Sequence, residues 1–191
     1  MPNRRLLIVM LGVTACGAGA GNPDLATEFR ETPLRAVPGV QIGMPVSRLK
    51  AARPNAASDG FSGMRETISG HLVAYRFRGA AAEVAGDPAA DERLLAVFVT
   101  RRLGSPGEVS SSWREQVQAV AGSKRAPDLC ESLPNGGMQA RWHFDRMSLV
   151  IAAVPGTAAG TTGSPRVVLA FGRANVINQP QGATPLPCPT S

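Results

Sequence analysis

The sequence has almost no histidine, hardly any lysine and none of the spaced clusters that hold metals or phosphates. His71 and His143 are the only histidines in 191 residues. A zinc site wants three or four ligands, and neither Cys-x-x-Cys nor His-Glu-x-x-His spacing occurs. Glu83, Asp87, Asp91 and Glu92 lack the dense alternation and central glycine of a calcium loop and read as a solvated surface stretch. Ser110, Ser111 and Ser112 fall inside a helical pattern, away from any strained Gly-x-Ser-x-Gly elbow. The run from Gly160 to Gly163 has neither the lysine nor the following helix of a phosphate loop. No metal and no cofactor is expected. Also missing is any apolar run near the roughly 20 residues that span a bilayer.

Lys50 and Lys124 are the only lysines among 20 basic residues. Arginine, alanine, glycine and proline rise together when codons are GC-rich, so the bias is compositional before it is functional. The arginines are scattered, whereas a nucleic-acid surface clusters its charge. Arg76 and Arg78 alternate with Tyr75 and Phe77, which places the two types on opposite faces of a strand. No nucleic-acid partner is expected. A hydrophobic fraction of 43% and a charged fraction of 18% are those of a folded chain, which excludes wholesale disorder.

The amino terminus is the most specific feature present. Arg4 and Arg5 precede a short apolar stretch from Leu6 to Gly12, and Val13-Thr14-Ala15-Cys16 closes it with small residues before a cysteine. This resembles the signal of bacterial lipoproteins. The resemblance implies that 1–15 is a signal peptide, that Cys16 carries lipid, and that the protein is anchored in the cell envelope. Gly17 stands where an aspartate resembles an inner-membrane retention signal, so in a two-membrane organism the outer membrane, facing the periplasm, is favoured. Residues 16–38, with Gly-Ala-Gly-Ala-Gly-Asn-Pro at their start, read as a tether; roughly twenty flexible residues hold a domain about 25 Å from the lipid.

Lipid on Cys16 leaves Cys130 and Cys188 in an oxidising space. A disulfide is the economical assignment and two free thiols are the alternative, since Cα separation is not legible in sequence.

Residues 39–177 read as one domain. Val46 to Arg53 has helical spacing and stops at Pro54. His71, Val73, Tyr75 and Phe77 share one face of a strand, and Leu94 to Thr100 is apolar enough for a central one. Ser105 and Glu108 frame a capping box with proline at the first position, opening a helix over 106–121 whose apolar stripe is Val109, Trp113, Val117 and Val120. In Gln139 to Asp145, Ala140, Trp142 and Phe144 point inward while Gln139, Arg141, His143 and Asp145 point outward; Met147 to Val154 returns as a hairpin partner. Arg166 to Phe171 is a further strand, and 178–191 is a proline-rich tail without core residues. The fold class is α+β: an antiparallel sheet with one short and one longer helix packed on one face.

Gly39-Val40-Gln41-Ile42-Gly43-Met44-Pro45-Val46-Ser47-Arg48-Leu49 resembles the opening of small outer-membrane-assembly lipoproteins and of β-lactamase-inhibitor-protein-like domains. That resemblance, carried by residues 39–54, implies helices on an antiparallel sheet and a molecule that binds other proteins without catalysis. Pro45 occupies the place of a capping Ser or Thr.

Three functions follow as expectations. The first is a lipid-anchored envelope protein that is not an enzyme, its partners being the membrane and another envelope protein or an anionic envelope component. The second is a periplasmic hydrolase using His143 and Asp145, two apart on one strand, the carboxylate orienting the imidazole as a base. The third is an inhibitor-like module for an exported enzyme, which needs aromatic anchors outside the core among Trp113, Trp142, Tyr75 and Phe77.

Overall fold

Nine strands form a single antiparallel sheet in the computed structural model, which describes residues 34, 36–61, 63–78, 86–121, 125–158, 161–177 and 181–189. The signal segment and Cys16 lie outside the described residues. In chain order come helix α1 (Val46–Ala52), strands β1 (Ala57–Ser58), β2 (Gly63–Ile68), β3 (His71–Arg76) and β4 (Ala96–Arg102), and a 3-10 turn (Pro106–Glu108) leading into helix α2 (Val109–Ala121). Then follow β5 (Leu129–Ser132), β6 (Met138–Phe144), β7 (Met147–Val154), a small separate ribbon of β8 (Thr157–Ala158) and β9 (Thr161–Thr162), β10 (Arg166–Arg173) and β11 (Thr184–Pro185). The spatial order is β1-β2-β3-β4-β10-β7-β6-β5-β11. Two meanders, β1 to β4 and β5 to β7, are thus joined by β10, which pairs with β4 on one side and β7 on the other.

The register assigns every strand residue to a face. Val97↔Phe171, Val99↔Leu169, Tyr75↔Val97 and Trp142↔Leu149 put these side chains on one face, with Met64 opposite Tyr75. Both helices pack there. Around α2, Val109, Trp113, Val117 and Ala121 meet Ala140, Trp142, Leu149, Ile151 and Phe171; around α1, Val46 and Leu49 meet Met64, Val73, Tyr75 and Val97. The α+β expectation holds, one short and one longer helix lying on the same face of an antiparallel sheet.

The start of α1 shows how a proline replaces a cap. Pro45 makes no side-chain cap bond. The N–H groups of Val46 and Ser47 donate instead to the carbonyls of Glu92 (3.0 Å) and Ala90 (3.0 Å), so the acidic stretch before β4 supplies the acceptors a serine would have given. Gly43 sits at φ +91°, where a side chain is strained, and donates its N–H to the Leu94 carbonyl at 2.7 Å. At the long helix the capping box is only partly formed. Ser105 Oγ donates to Glu108 Oε1 (3.1 Å) and Glu108 Oε2 accepts from the Gly104 N–H (3.3 Å), because the first turn is 3-10 and turns the Ser105 hydroxyl away from the backbone donors.

Two boundaries differ from the sequence expectation. Leu34 and Val37 fall in the stretch read as tether, yet both join the α1 core, Val37 with no exposure; successive turns bond Val37 N–H to Leu34 and Val40 N–H to Val37. The packed domain therefore begins ahead of residue 39. In the tail, Thr184 and Pro185 pair with Ser132 and Glu131, and Leu186 donates to the Cys130 carbonyl at 2.9 Å. Leu186 and Cys188 also pack against the α2 core. A proline-rich segment serves here because an edge strand needs donors on one side only.

Cys130 and Cys188 are bridged, with Cα atoms 5.2 Å apart and a sequence separation of 58. Closing a loop of that separation stabilises by about 4 kcal/mol on chain-entropy grounds. Cys130→Ser and Cys188→Ser are each expected to lower the thermal midpoint and to free the tail to proteolysis from residue 181 onward. Intact mass without reduction should show the wild-type chain lighter by two hydrogens; two free thiols in oxidised protein would contradict the bridge.

Candidate functional site

His143 and Asp145 are not brought together. β6 ends at Phe144, and Asp145 occupies the hairpin turn at φ +49°, so it does not share the strand face of His143. No hydrogen bond or ion pair joins the two, and both are exposed. The alternation counted one residue too many because the strand turns where the sequence still alternates. His143 Nδ1 lies 3.5 Å from Ser148 Oγ on the neighbouring strand, and its backbone N–H donates to Asp128 Oδ2 at 2.7 Å. Serine, histidine and aspartate are therefore adjacent, but not as a triad. A triad carboxylate orients the imidazole through a ring nitrogen, whereas Asp128 takes a main-chain donor, and Ser148 has no exposed surface from which to attack a substrate. Asp128 acts as a clasp. Burial would raise its pKa, but the His143 N–H and the Arg125 guanidinium (2.5 Å) outweigh that and hold it below the ordinary carboxylate range.

The outward set on β6 also needs correction. Gln139 and Arg141 do lie on the face away from the helices, but they are 3% and 1% exposed. That second face has a core of its own, where Val176 and Ile177 fold back over Ala96, Val150 and Ala170. Burial holds the Arg141 guanidinium below its usual value, and the Glu131 carboxylate offsets part of that. Glu131 also accepts from Gln139 Nε2.

A charged network that the sequence did not reveal sits under α1. Arg53, just past the helix, donates from Nε and Nη2 to Glu66 at 2.8 and 2.9 Å, a bidentate pair, and the Tyr75 hydroxyl donates to the same carboxylate at 2.5 Å. Burial pushes Glu66 up, yet the bonds from Arg53 and Tyr75 prevail and its pKa lies below the ordinary value; burial and the Glu66 carboxylate hold the Tyr75 phenol well above its own. A carboxylate whose acceptors are all engaged, on a face filled by helix packing, has a structural task. Its strand carried little signal, and only pairing with β3 puts Glu66 beside Tyr75.

The four aromatics that an inhibitor-like surface would present are all in the core: Trp113, Trp142, Tyr75 and Phe77 are at most 4% exposed. His71 shares the face of Val73 and Tyr75 and is half-buried. Among the described residues no group of three or more His, Cys, Asp or Glu could hold a metal ion, and no helix is long and apolar enough to cross a membrane.

What stays open is the β2–β3–β4–β10 end of the second face. Leu72 is 44% exposed there, in a row with Thr67, Thr100 and Val168, and Arg102 faces Arg166 in the next row. A cleft of about 640 Å³ is lined by Thr67, Leu72, Thr100, Arg102 and Arg166. Another, of about 760 Å³, lies at the opposite end of the sheet where Ile42 and Met147 meet Arg146 and Arg173. Neither cleft is lined by His143 or Asp145. The chain matches no protein-family model, and no curated protein or solved structure is significantly similar to it.

Removal of Arg53 tests the buried network. Arg53→Ala strands a carboxylate whose side chain is 3% exposed, and the expected loss is about 3 kcal/mol, the low end for broken buried pairs because the Arg53 side chain keeps 20% exposure. Glu66 has a lowered folded pKa, so its contribution is complete above the unfolded value of about 4.3 and fades as pH falls through the folded one. Urea unfolding should therefore show the gap between wild type and Glu66→Gln shrinking below about pH 4; a gap constant from pH 7 to 3 contradicts the assignment.

Proposed function

We propose that this is a lipid-anchored protein of the cell envelope, held through Cys16 and favouring the outer membrane, whose α+β domain binds another envelope protein or an anionic envelope component without catalysing a reaction. The observation that carries this reading is the open end of the second sheet face. Both described helices cover the other face, and Val176 and Ile177 cover only the middle of this one, leaving Leu72, Thr67 and Arg102 exposed together. Exposed apolar surface beside an arginine that meets no carboxylate among the described residues is the composition of a binding surface.

The Cys130–Cys188 bridge supports export, since such bonds persist in oxidising compartments. The hydrolase reading has less behind it, because His143 meets only a buried serine hydroxyl and Asp145 has left the strand. For the inhibitor reading, the described surface offers Phe61, 62% exposed, as a single aromatic anchor.

Labelling with a palmitate analogue tests the anchor: wild type should incorporate label and sediment with membranes, and Cys16→Ala should do neither. Equal labelling of the two removes the lipoprotein assignment. The face is tested by a photo-cross-linking residue at Leu72, with exposed Arg114 on α2 as the comparison site. A discrete adduct in intact cells is expected from position 72 alone, and equal yields at both positions would overturn the assignment of this face.

A further inference from the structure

We propose that the Arg102–Arg166 cleft is a binding site for a phosphate monoester. Arg166 on β10 is the direct cross-strand partner of Arg102 on β4, and both line a cleft of about 640 Å³ with Thr67, Leu72, Thr100 and Ser164. Like charges directly opposite each other on a sheet repel. Elsewhere Arg53, Arg76, Arg78 and Arg125 each meet a carboxylate. Among the described residues neither Arg102 nor Arg166 does, and no acidic side chain lines the cleft. Two adjacent cations left without a counter-charge call for an anion from outside.

The chemistry of the lining selects the anion. Two guanidiniums offer a charge of two and paired forks of donors, and three hydroxyl-bearing side chains add more. A lone carboxylate cancels one charge and leaves the second guanidinium unmatched; a dianionic phosphate monoester cancels both and accepts at three oxygens. The volume is that of a small-molecule site, so the organic part of the ester has room, and Leu72 gives it apolar contact. One arginine is already seated. The Arg166 guanidinium lies against the bare Cα of Gly163, where an added Cβ would stand 2.6 Å from Nη1, and Nη1 donates to the Ser164 carbonyl at 3.4 Å.

The inference deepens the binding reading of the open face and rests on it for where the ligand is met. It is tested on the purified full-length chain in non-ionic detergent, so it fails independently of anchoring and of cross-linking in cells. Glycerol 3-phosphate and phosphatidic acid dispersed in micelles of the same detergent are the two titrants, followed by calorimetry at low salt. Saturable binding of glycerol 3-phosphate is the outcome expected for a soluble ester, and binding of phosphatidic acid alone the outcome for a lipid headgroup; either supports the site. Arg102→Gln with Arg166→Gln should weaken binding at least tenfold and Gly163→Ala severalfold, whereas Arg65→Gln, exposed on the same face outside the cleft, should leave it unchanged. Should the double variant not fold, protection of Arg102 and Arg166 from phenylglyoxal in the wild-type protein gives the same answer. Binding of neither titrant, binding that survives the double substitution, or absence of protection overturns the proposal.

Discussion

Double-sided pairing of one strand holds the structure together. β10 contributes seven residue pairs to β4 and eight to β7, and without it the two meanders would be separate small sheets, each with a bare edge. Its residues suit a central position, with Val167, Leu169 and Phe171 on the helix face and Val168 and Ala170 on the other. Phe171 lies in the α2 core while its partner Val97 lies in the α1 core, so the strand also merges two hydrophobic clusters into one continuous face. The same pairing places Arg166 opposite Arg102, which makes the candidate binding cleft a by-product of the strand that closes the fold.

Two sets of buried polar side chains are answered by groups on neighbouring elements. Glu66 is held by donors from Arg53, just past α1, and from Tyr75 on β3, and this ties the end of the short helix to the first meander. Gln139 and Arg141 are buried on the opposite face, where the Glu131 carboxylate accepts from Gln139 and counters the burial of Arg141. Each network ties neighbouring elements through particular side chains and so specifies register as well as adding stability. Arg102 and Arg166 differ: they are charged and adjacent and meet no carboxylate among the described residues, which is why they and not the histidines define the candidate site.

Much of the secondary structure was legible. The 3.6-residue stripe of α2, the alternation from His71 to Phe77 and the β6–β7 hairpin follow from local periodicity, because a half-buried helix or strand must repeat its apolar residues at the period of its backbone. The end of β6 was not legible, since Asp145 continues the polar alternation while its backbone turns. Nor was the burial of Gln139 and Arg141, because alternation tells which face a residue takes and not whether that face is covered.

The sequence by itself determined the α+β class, the two helices and the most strongly patterned strands, all of which depend on neighbours along the chain. The tertiary structure alone decided the insertion of β10 between β4 and β7, the ordering of the tail beside β5, the Arg53–Glu66–Tyr75 network and the meeting of Arg102 with Arg166. These depend on non-local pairing. An antiparallel strand carries the same alternation whichever neighbours it adopts, so its partners are chosen by the packing of the whole sheet and leave no mark in the local pattern.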